Sequence, residues 1–105
     1  MTIEELEKKA DEIAESMAAS RILSLNFTDS EQEIDHAGDL PASDATWRMF
    51  CSDVRTFFRV NSGIDGLENY KQRFDKLSSV RVVTKNVIDE IKVLLHEVGN
   101  EVIGR

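Results

Sequence analysis

Trp47, Phe50, Cys51, Val54, Phe57 and Phe58 recur on a 3.6-residue period, so they gather on one face of a helix. They include the only tryptophan and three of the five phenylalanines. A chain carrying such a stripe has to cover it with other apolar faces. At 105 residues it has the length for one core, and a domain of that size hides roughly 65% of the surface its unfolded form exposes. Hydrophobic residues at 41% and charged residues at 31% lie in the globular range. We read residues 1–105 as a single helical domain.

The remaining elements come from the same periodicity. Thr2 followed by Glu5 forms a capping box, and Ile3, Leu6, Ala10, Ile13, Ala14 and Met17 then recur at spacings of three and four. Helix 1 is expected from about residue 3 to about residue 20. Its stripe is narrow and near heptad spacing, which suits one or two neighbours, a second copy of the chain among them. In 22–28, Leu23, Leu25 and Phe27 alternate with polar residues as a strand would, although Leu25 also continues the helical stripe. Extended chain is the preferred reading there.

Helix 2 starts behind Ser43 or Asp44 as N-cap and stops at Asn61-Ser62-Gly63, where Asn61 or Gly63 is available for a left-handed C-cap. Helix 3 is expected from about Asp65 to Leu77, burying Leu67, Tyr70, Phe74 and Leu77. Val87, Ile88, Ile91, Leu94, Leu95, Val98 and Val102 define helix 4. Val80, Val83 and Thr84 are in phase with it, so its start is placed at about residue 79. The expected fold is an all-α, four-helix bundle-like domain. The alternative is α+β, with strands at 22–28 and 80–84.

Charge is divided along the chain. Residues 1–46 hold twelve acids against three bases, and residues 47–105 hold eight acids against ten bases. The stretch 28–43 has no Lys or Arg but carries Asp29, Glu31, Glu33, Asp35 and Asp39, with Gly38 and the only proline, Pro41. It reads as an acidic loop. The overall charge of −7 argues against direct nucleic-acid or anionic-membrane binding, which relies on Lys and Arg to neutralise phosphates. No uninterrupted apolar run approaches the ~20 residues of a membrane span. With no basic leader and a single cysteine, the expectation is a cytoplasmic protein without disulfides.

No complete catalytic motif is present, and we expect neither enzymatic activity nor a cofactor. The acidic loop fails the calcium-loop template, because Ile34 stands at its sixth position and Leu40 at its twelfth. No metal site is expected. Cys51 lies on the aromatic face and reads as a small core residue; His96 falls opposite the helix 4 stripe. Two sets of residues remain. Asp29, Glu31, Glu33, Asp35 and Asp39, with the acidic face of helix 1, suit recognition of a protein partner with a basic surface, as in a small regulator or inhibitor. Arg48, Arg55 and Arg59, at spacings of seven and four, form a row on helix 2. That row could collect a small anion or nucleotide in an oligomeric module.

Overall fold

The computed structural model describes residues 2–27 and 39–103. Among these residues, four α-helices form the molecule: α1 (Ile3–Phe27), α2 (Ala45–Val60), α3 (Leu67–Ser78) and α4 (Lys85–Glu97). A π-helical segment, Val98–Ile103, continues α4. Two-residue strands, β1 (Leu40–Pro41) and β2 (Val82–Val83), lie in the connections before α2 and α4. The fold is all-α and bundle-like, as the apolar periodicity implies.

Local chemistry sets most of the boundaries. The Glu5 amide donates to the Thr2 hydroxyl at 3.2 Å, opening α1. The Trp47 amide donates to Asp44 Oδ1 at 3.0 Å, and the Val87 amide to Thr84 Oγ1 at 3.4 Å, so each of these side chains takes one of the amides a helix start leaves without a partner. Asn61 closes α2 differently from the expectation. Its φ is −102°, and its Nδ2 donates to the Phe57 carbonyl at 2.9 Å. The left-handed residue is instead Gly66, at φ 87°, directly before α3. That helix accordingly starts at Leu67, two residues later than the expected Asp65.

Two further boundaries correct the sequence reading. The stretch expected to be extended at 22–28 is helical through Phe27, because α1 runs on as one 25-residue helix; Thr28 lies outside the described residues. Helix 4 does not reach back to residue 79. Ser79 caps α3, Val82 and Val83 pair antiparallel with Pro41 and Leu40, and α4 starts only after Thr84. Branched Val82-Val83 suits a strand, and the Thr84 hydroxyl supplies the helix start. The strand of the α+β alternative is thus present at 80–84, as a pairing too small to change the fold class.

Neighbouring helices run antiparallel around the bundle. Lys9 of α1 meets Asp53 of α2, Arg55 of α2 meets Asp75 of α3, Arg73 of α3 meets Glu97 of α4, and Lys92 of α4 meets Asp11 of α1. Each helix therefore touches two neighbours, and α1 stands diagonally across from α3. The core fills the middle. Ile3, Leu6, Ala10, Ile13 and Met17 of α1 are all buried against α4 and α2. The narrow stripe that suggested a homodimer is therefore consumed within one chain. Since Glu7 faces His96 and Asp11 faces Lys92, α4 begins about level with Ala18. The last turns of α1 continue past that point.

Phe58 and Phe74 join α2 to α3 with ring centroids 6.1 Å apart, and Phe57 meets Phe58 edge-on at 5.9 Å. Phe74 is fully buried. Phe74→Ala should therefore cost about 3–5 kcal/mol through lost transfer energy and a residual cavity, measured by urea unfolding. A loss under about 1 kcal/mol would contradict its central position. Asp44→Ala should cost about 1 kcal/mol by leaving the Trp47 amide without its cap.

Candidate functional site

The outward side of α1 is acidic. Glu4, Glu5, Asp11, Glu12 and Glu15 are exposed there, with Lys8 among them. The flanks of this strip are tied to the neighbouring helices: Lys92 binds Asp11 on one side, and Lys9 Nζ reaches Asp53 Oδ2 at 2.8 Å on the other. Burying one narrow stripe leaves the outward positions of the described part of the helix to solvent, so its acids there become a surface field. Asp39, half-buried, is the described end of the acidic stretch. Asp29, Glu31, Glu33 and Asp35 lie outside the described residues.

The arginine row exists as spaced, on exposed positions of α2. Its members are in different situations. Arg55 Nε stands 3.9 Å from Asp75 Oδ1, and its Nη2 donates to Ser78 Oγ at 3.4 Å. Arg48 and Arg59 make no ion pair among the described residues. The middle guanidinium is therefore already occupied by α3, and none of the clefts described below has a member of the row in its wall.

Clefts lie between the helices. One of about 210 Å³ sits where α1, β1 and the start of α2 converge, with Ile13, Leu40, Met49 and Phe50 as apolar lining and Lys9, Glu12, Ser16, Asp44 and Thr46 as polar lining. Another, about 480 Å³, separates α3 from α4 and is lined by Arg73, Lys76, Leu77, Asn86, Asp89, Glu90 and Val93. A third, about 440 Å³, runs between α1 and α4 beside Glu7, Asp11, Lys92, His96 and Glu97. Sequence periodicity does not identify the first of these. The one signal it offers is Met49, a large apolar residue set off the aromatic face of its helix and 67% exposed.

The titratable groups are mostly in structural roles. His96 is exposed, with Asn100 Nδ2 at 2.9 Å from its Nε2 and Glu7 at 4.0 Å from its Nδ1. The Tyr70 hydroxyl donates to Glu101 at 3.0 Å, which raises its pKa, and Arg73 lies 5.3 Å over the Tyr70 ring while bridging to Glu97. Together these contacts fasten α3 to α4 and to the π-helical segment that continues it. Cys51 is buried, and burial pushes its thiol up to about 11, with Arg55 partly opposing. A thiol held protonated in that way is no nucleophile at neutral pH. Among the described residues, no three His, Cys, Asp or Glu side chains are grouped to hold a metal ion. No described helix is long and apolar enough to cross a membrane.

Comparison with protein-family models, with curated proteins and with solved structures finds no match. For Cys51 the sign of the pH dependence is set by its raised pKa: the folded state keeps the proton longer than the unfolded chain, whose thiol titrates near 9.0. Its contribution to stability is complete below about pH 9 and is lost as the pH rises towards 11. Urea unfolding across that interval should show a steeper loss in the native protein than in Cys51→Ala. At pH 8 a small thiol reagent should modify Cys51 far more slowly in the folded protein than in urea.

Proposed function

We propose that this protein is a non-enzymatic binding module that recognises a protein partner with a basic surface. The observation that carries the reading is the acidic outward strip of α1, with Glu4, Glu5, Glu12 and Glu15 exposed on a helix whose other side is committed to the core. Carboxylates that outnumber the one lysine among them, Lys8, attract a complementary surface over about a Debye length, and they accelerate encounter more than they tighten the final complex. The sequence adds Asp29, Glu31, Glu33, Asp35 and Asp39 to the same sign of charge. A small regulator or inhibitor that occupies a basic site, or imitates a nucleic-acid backbone, needs this kind of surface and no catalytic group.

The arginine row supports a weaker case for a small anion, because Arg55 would have to leave Asp75 and Ser78 to grip one. The basic-partner reading asks for no such rearrangement. Its test starts from native mass spectrometry of the protein taken gently from its host at low salt, which identifies the retained partner. Replacing Glu4, Glu5, Glu12 and Glu15 together by Gln should then lower the on-rate for that partner roughly tenfold at low salt and flatten its salt dependence. Circular dichroism should be unchanged, since these side chains are exposed. An on-rate indifferent to both the substitutions and salt would overturn the reading.

A further inference from the structure

The cleft between α1, β1 and α2 lies directly beside the acidic strip, and Glu12 belongs to both. Its apolar lining is Ile13, Leu40, Met49 and Phe50, of which Met49 is the exposed member. The charges around it have one dominant sign. Lys9 is bound to Asp53, so its ammonium is already matched, while Glu12 and Asp44 remain as carboxylates on the wall. A volume of about 210 Å³ falls below the ~300–1,000 Å³ of sites that enclose a whole small molecule. It is a size for one side chain.

We infer that this cleft is the anchor point for the basic partner: it takes one apolar side chain from a segment whose neighbouring residues are Lys or Arg. The inference rests on the basic-partner reading and adds to it the place and the side-chain chemistry of the contact. The flanking cations meet Glu12, Asp44 and the α1 strip, while the apolar side chain displaces water from Met49 and Leu40. Methionine suits such a role, because its unbranched thioether re-packs against different occupants. Charge also distinguishes this cleft from the groove between α3 and α4. There Arg73 is bound to Glu97, and Lys76 offsets one of the two carboxylates, Asp89 and Glu90, so the rim is less one-sided than that of the cleft at Met49, whose only base is already matched.

The test uses two amidated heptapeptide probes, one with a central leucine between lysine pairs and one with serine in its place, titrated at low salt into protein labelled at its methionine and valine methyls. Met49→Ser assigns the Met49 signal and serves as the second variant; its exposed position makes it a mild change. The leucine peptide should bind roughly tenfold tighter than the serine peptide and shift the Met49 methyl, and Met49→Ser should remove that preference while leaving the affinity for the serine peptide unchanged. Equal affinities with an unmoved Met49 methyl would overturn the cleft and leave the acidic-strip reading standing. A leucine-dependent shift centred on Val93, or a preference that survives Met49→Ser, would also overturn it. No binding of either peptide would defeat both.

Discussion

Phe58 against Phe74 is the contact on which the rest of the bundle depends. It ties the aromatic face of α2 to α3 across a turn that contains Gly66, and it fixes which sides of both helices face inward. Once that orientation is set, Trp47, Phe50 and Val54 face inward with the stripe of α1, and Ile88, Ile91, Leu94 and Leu95 of α4 complete the core. Aromatic rings contribute large buried areas and specific tilted or edge-on geometry, so they align helices more strictly than aliphatic contacts would. The strand pairing of Leu40 with Val83 then links the two connections at one end, with Val83 fully buried beneath it.

Antiparallel neighbours convert a charge division along the chain into one across space. The acid-rich α1 and the base-bearing α3 occupy diagonal corners, and the helices between them carry the ion pairs that bridge the two. Lys9 with Asp53 and Lys92 with Asp11 use bases on the flanks of α1 or its neighbours, so that among the described residues Glu4, Glu5, Glu12 and Glu15 have no ion pair. Exposed pairs of this kind contribute about 1 kcal/mol or less each. Their larger effect is on where uncancelled charge remains, and that governs encounter with partners.

The candidate site was only partly legible beforehand. The acidity of α1 and the spacing of Arg48, Arg55 and Arg59 are direct properties of the sequence, and both survive as surface features. That Arg55 is held by Asp75 and Ser78 depends on residues twenty and twenty-three positions away, which periodicity cannot connect. The Met49 cleft joins residues from α1, β1 and α2. Met49 alone carried a sign of it, as an apolar side chain out of phase with its helix. The seam of α1 shows the opposite case: a heptad-like stripe is equally suited to an internal neighbour and to a second copy, and only the packing against α4 and α2 distinguishes them.

What the amino-acid order determined by itself was local and periodic: four amphipathic helices, a capped start for α2 at Ser43 or Asp44, and the identity of the residues that had to be buried. Those features depend on interactions within a few residues, where 3.6-residue geometry and side-chain capping operate. Tertiary structure decided why Val82 and Val83 form a strand instead of extending α4, and which charged groups neutralise one another. Each of these depends on partners distant in sequence, Leu40 for Val83 and Asp53 for Lys9, whose meeting requires the antiparallel closure of the whole bundle.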